Sequence, residues 1–344
     1  MRFLGSVLVR AILREPLSGS KPNAPSTHGA RARSAQIART WCLIGALRRG
    51  VYELNYAHPE YLTSAEDVQD GLDRRDRRLR IFDTTVYLRP DPPRYRIESG
   101  RDDYLRSHIP TAGMLDLTRG LSDSASPLPF TLPSPAQLQF EFRKYGIDDE
   151  SQVVLYSTSH IMWATRVWWM LHWAGHQNVT LLDGGYERWV AEGRGLDNNP
   201  TPYPTSDMTV RPRDGLWASA EEVRAAVGNG RTCTINALSP EVYAGTSKQH
   251  YGRPGHIPGS YNVHYDAILD GQTFRSAAEI KAAFDGTHVR TADRVITYCG
   301  GGISATVDAF ALKLIGFDNV AVYDGSMSEW AADPELPLAT GPSP

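Results

Sequence analysis

The strongest constraint on how this chain folds is a repeat. Gly175 and Gly316, Asp183 and Asp324, and Trp189 and Trp330 are each separated by the same 141 residues. Around these pairs the same order of features occurs twice. In the first half, 79–83 (Leu-Arg-Ile-Phe-Asp) reads as a strand, and His108-Ile109-Pro110 follows. A second strand is expected at 153–156, a helix over 162–174 that closes at Gly175, and a third strand at 179–182 leading into Asp183-Gly184-Gly185. In the second half the same places are taken by 233–236, His256-Ile257-Pro258, 295–298, a helix closing at Gly316, and 320–323 followed by Asp324-Gly325. Chance supplies one matching spacing, not an ordered series, and a fixed period is the mark of a duplicated unit. Strands alternating with helices predict an α/β fold, with a parallel sheet covered on both faces in each half.

At 344 residues the chain is long enough for two domains, each burying its own core. The stretch from Asn198 to Asp207 holds three prolines among small polar residues. It is a poor helix or strand, which sets a linker at 198–214 between a first domain (51–197) and a second (215–344). Residues 1–50 carry Arg2, Arg10, Arg14, Arg31, Arg33, Arg39, Arg48 and Arg49 against the single acid Glu15. A transit peptide, a disordered extension and an unused upstream start fit this leader equally. The expected location is the cytoplasm, with the mitochondrial matrix as the alternative if 1–50 is a transit peptide. No apolar run approaches the ~18 residues of a membrane span. A net charge of −3 argues against nucleic acid as the main partner. Cys42, Cys233 and Cys299 lie far apart with no Cys-x-x-Cys pair. That pattern is neither a zinc site nor a disulfide framework, and it fits a reducing compartment.

The chemistry is concentrated in one loop. Val295-Ile296-Thr297-Tyr298 leads into Cys299, then Gly300-Gly301-Gly302-Ile303-Ser304-Ala305, then a helix with an apolar face at Val307, Phe310, Ala311, Leu314 and Ile315. A cysteine at a strand-to-helix turn followed by three glycines sits at the mouth of a backbone cradle whose N–H groups point inward. The positive end of the following helix adds to this. Both effects favour the thiolate, which is the nucleophile. The first half has Ser157-Thr158-Ser159-His160 at this place, one residue longer and without cysteine or glycine. Aligning the helices puts Cys299 on Thr158, and aligning the strand tyrosines puts it on Ser157. One half is expected to be catalytic and the other a duplicated scaffold. Ser304 suits a plain helix N-cap as well as a catalytic hydroxyl. His108 and His256, each before Ile-Pro, are read as structural histidines, and Trp163, Trp168, Trp169 and Trp173 as core and domain interface.

With these residues the chain resembles the tandem-domain sulfurtransferases, the family of rhodanese and 3-mercaptopyruvate sulfurtransferase, from roughly Tyr52 to Gly341. The resemblance rests on His-Ile-Pro in both halves, Arg166-Val167-Trp168-Trp169-Met170, Asp183-Gly184-Gly185 with Trp189, the cysteine loop, and Tyr323-Asp324-Gly325-Ser326 with Glu329-Trp330. It implies two tandem rhodanese-like domains, the first silent and the second carrying the catalytic Cys299 in a persulfide loop of Gly300, Gly301, Gly302, Ile303, Ser304 and Ala305. It implies transfer of a sulfur from a small donor to cyanide or to a thiol, small or on a thioredoxin-like protein, with no metal or organic cofactor. The neutral loop resembles that of members preferring 3-mercaptopyruvate over thiosulfate. Arg253 and Arg188 are the expected substrate-binding cations. Departures from the family are Asn236 and Leu238, where an aspartate and an arginine are usual, Glu187 where an arginine is usual, and Thr111 in place of a glycine.

Two other readings are weaker. A cysteine phosphatase needs a longer loop ending in arginine to hold phosphate bidentately, and Ala305 and Thr306 stand there instead. An interaction module has no use for the retained cysteine and its glycines.

Overall fold

The computed structural model describes residues 56–91 and 94–344. The arginine-rich leader lies outside the described residues.

The first half contributes β1 (Leu62–Thr63), β2 (Leu79–Asp83), β3 (Val86–Asp91), β4 (Arg94–Ser99), β5 (Gly113–Met114), β6 (Gln152–Tyr156) and β7 (Val179–Leu182). Five of them form a parallel sheet in the order β1-β7-β6-β2-β5. The other two, β3 and β4, make an antiparallel hairpin. The second half contributes β8 (Trp217–Ala218), β9 (Thr232–Asn236), β10 (Tyr261–Asn262), β11 (Leu269–Asp270), β12 (Thr273–Phe274), β13 (Arg294–Tyr298) and β14 (Val320–Tyr323). Its parallel sheet runs β10-β9-β13-β14-β8. Here β11 and β12 form a short antiparallel ribbon. Both sheets are the α/β units expected from the alternation, and their inner strands β6 and β13 are apolar and buried as strands covered on two faces must be.

Two helices, Met162–Trp173 and Ala305–Leu314, follow β6 and β13 and are buried nearly all round. A helix apolar on every side has no face for water. These two solve that by packing on their own sheets and on each other. Thr165 and Thr306, one repeat apart, join hydroxyls at 2.7 Å, and Trp168 stands edge-on to Phe310 at 4.9 Å. One hydrophobic core therefore runs through both halves. Each helix ends on a left-handed glycine, Gly175 (φ 95) and Gly316 (φ 96). Its last carbonyls are closed by His176 N–H to Leu171 O and Phe317 N–H to Leu312 O.

The two His-Ile-Pro histidines are scaffold groups in the structure. His108 bonds Tyr104 O through Nδ1, and His256 bonds Tyr243 O in the same way. Residues 201–213 form neither helix nor strand. They are stitched to the first half through Arg211 N–H to Ala174 O and Arg213 N–H to Trp173 O. Among the described residues no helix is long and apolar enough to cross a membrane.

Candidate active site

Cys299 follows the last residue of β13, the central strand of its sheet, at the carboxyl end of the parallel strands. Open α/β sheets place their ligand crevices at this end. The loop is braced from one side by the segment after β14. Ser326 Oγ accepts from Cys299 N–H and from Gly302 N–H, both at 3.1 Å, and donates to Tyr323 O at 2.7 Å. Met327 N–H bonds Cys299 O, while Ser328 N–H and Oγ both bond Gly300 O. Ser326 holds this position at φ 48, a left-handed conformation that a residue with a Cβ adopts at a cost of about 1–3 kcal/mol. Gly302 turns the loop at φ 72, where a Cβ would come within 2.6 Å of Asp324 O. With the loop carbonyls of Cys299 and Gly300 held this way, the amides of Gly300, Gly301, Ile303 and Ser304 donate no hydrogen bond within the described residues.

A cation reaches the loop from the other half. Arg166, fully buried on the helix Met162–Trp173, donates through Nη1 to Gly302 O at 3.2 Å and through Nη2 to Phe130 O at 2.6 Å. The same Nη1 lies 2.6 Å from Asp324 Oδ1, and the guanidinium stacks over the Trp217 ring at 4.6 Å. Asp324 Oδ2 accepts from Leu132 N–H at 2.8 Å. The arrangement has a partner at the equivalent turn of the first half, where Asp183 Oδ1 accepts from Phe274 N–H at 3.2 Å. Each Asp-Gly turn thus grips backbone from the opposite half. The buried cation is not duplicated, because one repeat beyond Arg166 stands Val307. A cleft of about 700 Å³ opens beside the bracing segment, between Leu128 and Thr131 of the first half and Ser219, Tyr323, Gly325 and Ser328 of the second. Asp324, Glu329 and Asp333 are on its wall, and no lysine or arginine is.

The first half shows what the loop becomes without cysteine. Tyr156 OH and Tyr298 OH accept from the equivalent amides of Ile109 and Ile257. Thr84 N–H and Ala237 N–H bond the carbonyls of these same tyrosines. Ser157 is therefore the residue that stands where Cys299 stands. Its hydroxyl accepts from the amides of Ser159 and His160, at 3.3 and 3.4 Å, and Thr85 Oγ1 accepts from Thr158 N–H. These loop amides are satisfied by side chains of the first half, Ser157 in the loop and Thr85 after β2.

The two arginines singled out from sequence are held by other partners. Arg253 spends its guanidinium on the carbonyls of Trp330, Ala331, Asp333 and Leu336, around and beyond the end of the helix Ser326–Trp330. Its place is that of a backbone clamp. Arg188, on the helix Gly185–Ala191, pairs with Glu192 at 3.1 Å and lies 3.8 Å from Asp183, beside the turn of the first half. Neither is brought to the Cys299 loop by these contacts. Ser304 makes no capping bond and is already helical at φ −62, so its hydroxyl is not spent on the helix. Asn236, where the family has an aspartate, accepts from Leu238 N–H at 2.8 Å, as Asp83 accepts from Thr85 N–H in the first half. Cys233 is buried in β9, and burial pushes its thiol up to about 11, which removes it from nucleophilic chemistry. Sequence reading missed Arg166, Ser326 and Ser328 as site residues. The signal for the first was an arginine set among tryptophans on an otherwise apolar helix.

Comparison with known proteins gives a consistent picture. The rhodanese-like domain pattern matches twice, at residues 64–192 and 219–333. The chain is 31% identical over 244 residues to the 3-mercaptopyruvate sulfurtransferase of Escherichia coli, covering 69% of this chain and 84% of that one. It is 31% identical over 289 residues to the mitochondrial thiosulfate/3-mercaptopyruvate sulfurtransferase 1 of Arabidopsis thaliana, covering 77% and 74%. The crystal structure of the E. coli 3-mercaptopyruvate sulfurtransferase SseA superposes with a TM-score of 0.69 at 26% identity, over 77% of this chain and 98% of that one.

Proposed function

The chain belongs to the rhodanese-like domain family and is a sulfurtransferase, and on that premise we propose that Cys299 carries the sulfur as a persulfide and that 3-mercaptopyruvate is the preferred donor. The Cys299 thiolate attacks the sulfur of the donor. The carbon–sulfur bond breaks, its electron pair stays on carbon, and the proton of the donor thiol ends there, giving pyruvate and a Cys299 persulfide anion. A nucleophile then attacks the outer sulfur. Cyanide leaves as thiocyanate, or a small thiolate leaves as its own persulfide, and the Cys299 thiolate returns. This is covalent catalysis with ping-pong kinetics. The unbonded amides of Gly300, Gly301, Ile303 and Ser304 supply dipoles for the sulfur anion, a preorganised anion hole, and Ser304 Oγ is a further donor.

The observation that carries the donor assignment is the charge of the site. The loop has no cationic side chain, and Arg166, the cation that reaches it, is already neutralised by Asp324. Dipoles without net positive charge favour a monoanion such as mercaptopyruvate over the thiosulfate dianion. Steady-state kinetics with both donors and cyanide as acceptor test this, with mercaptopyruvate expected to show the larger kcat/KM. A large preference for thiosulfate would overturn it. The unpaired thiols Cys233 and Cys299 fit the cytoplasm as the place of action, the mitochondrial matrix being the alternative if 1–50 is a transit peptide. The proposed division of the chain remains 51–197, a linker at 198–214, and 215–344.

A further inference from the structure

Cys299 is only 2% exposed, although its chemistry requires two substrates to reach it. The neighbouring ring is that of Tyr251. A Cβ built on Gly300 would fall 2.0 Å from Tyr251 Cζ and 2.5 Å from its hydroxyl, so the phenol rests on the bare Cα of the residue after the cysteine. Gly300 does not have a positive φ, and the approach of this ring is the reason for a glycine there. Tyr265, which opens the 3-10 turn Tyr265–Ile268, belongs to the same cluster. Burial raises both phenols, Tyr265 up to about 12, and both sense Cys299 and Tyr95.

The segment that carries Tyr251 is pinned at three points. Upstream, Thr246 and Ser247 donate their amides to Glu241 O. Two residues downstream, Arg253 clamps it to the carbonyls around and beyond the end of the helix Ser326–Trp330. From the first half, Tyr95 on β4 donates its hydroxyl to Gln249 Oε1 at 2.6 Å. The second half has no hairpin matching β3–β4, so the repeat does not provide this tie twice. A side chain on a segment held this firmly can rotate out of the way only about its own χ angles.

Resting on the reading of Cys299 as the sulfur carrier, we propose that Tyr251 is a specificity-determining residue of the transfer. Its ring closes the sulfur loop against bulky acceptors and turns aside for a slender nucleophile such as cyanide or a small unbranched thiol. The acceptor class is thereby set by the width of the opening left by one phenol.

The test compares cyanide with glutathione as acceptors for wild type, Tyr251→Ala and Tyr251→Phe, with persulfide on Cys299 followed by mass spectrometry of the intact protein. Tyr251→Ala should still take up one sulfur, and the ratio of kcat/KM for glutathione to that for cyanide should rise about tenfold, the scale of a steric discrimination within a pocket. Tyr251→Phe should keep the wild-type ratio, and a Phe variant that behaves like Ala would overturn the ring as the selecting element. Gly300→Ala gives an independent reading. Alone it drives a methyl into the ring and should lower turnover, but in the Tyr251→Ala background the loss should largely disappear, as coupled neighbours require. An unchanged acceptor ratio in a folded, persulfide-forming Tyr251→Ala protein overturns the gate. Failure of the wild type to form a persulfide strikes instead at the role of Cys299.

Discussion

Arg166 Nη1 lies 2.6 Å from Asp324 Oδ1, an ion pair made between the two halves of the repeat and closed off from water on the arginine side. The same Nη1 holds the carbonyl of Gly302, so the first half shapes the loop of the second through one guanidinium. Breaking a buried pair by removing one partner typically costs about 3–5 kcal/mol, because the remaining charge is left without compensation. Arg166→Met should therefore lower thermal stability sharply and impair transfer. Arg166→Met combined with Asp324→Asn should recover part of the stability, since no lone charge remains. Differential scanning calorimetry of both proteins checks this, and a single variant as stable as wild type would show that the pair is not what joins the halves.

Cys299→Ser should abolish sulfur transfer while leaving circular dichroism and melting unchanged, because the replacement is nearly isosteric in a small buried site. Cys233→Ala should retain transfer, its thiol being held protonated in the core of β9. The comparison is read by thiocyanate formation. Near-normal thiocyanate production from Cys299→Ser would remove the proposed mechanism.

Ser326 ties both ends of the loop through one oxygen. Ser326→Ala removes that acceptor and keeps the left-handed strain, whereas Ser326→Gly removes the acceptor and relieves the strain. Both should lower kcat/KM by about a hundredfold, the scale of a 1 Å misplacement of catalytic groups. The glycine variant should be the more stable of the two by chemical denaturation. Full activity in either protein would show that the loop holds its shape without Ser326.

Asp308 lies fully buried in the helix Ala305–Leu314, and neither of its carboxyl oxygens has a hydrogen-bond partner. Burial raises its carboxyl well above the ordinary range. A carboxyl whose folded value is raised binds its proton more tightly in the folded state. Wild-type stability contributed by this group is therefore highest at low pH and is lost as pH rises from about 4 towards the folded value. The repeat supplies its own replacement, since one repeat before Asp308 stands Val167, buried in the equivalent helix. Asp308→Val should raise the melting temperature by ~3 °C or more, with a margin over wild type that widens from pH 5 to pH 8. Equal margins at both values would show that Asp308 does not titrate in this way.

Much of this protein was decided by sequence alone. The constant offset between Gly175 and Gly316, Asp183 and Asp324, and Trp189 and Trp330 predicted two α/β units, and the strands and paired helices lie where their apolar runs and terminal glycines put them. These features depend on short-range physics, where periodicity and left-handed glycines act within a few residues. The position of Cys299 between strand and helix was legible for the same reason. Four features required the tertiary structure. Ser157 rather than Thr158 stands at the cysteine's place, because the extra residue falls inside a loop that has no periodicity. Arg166 serves a carbonyl 136 residues away, and no local pattern records such a contact. Arg253 looked available for a substrate anion until the carbonyls around and beyond the neighbouring helix end took its guanidinium. Tyr251 rests on Gly300 from a segment that Arg253 and Tyr95 hold through contacts distant in sequence. Hydrogen-bond donors on long side chains and rings on loops go wherever the assembled backbone leaves acceptors and space, and that is settled when the two halves pack together.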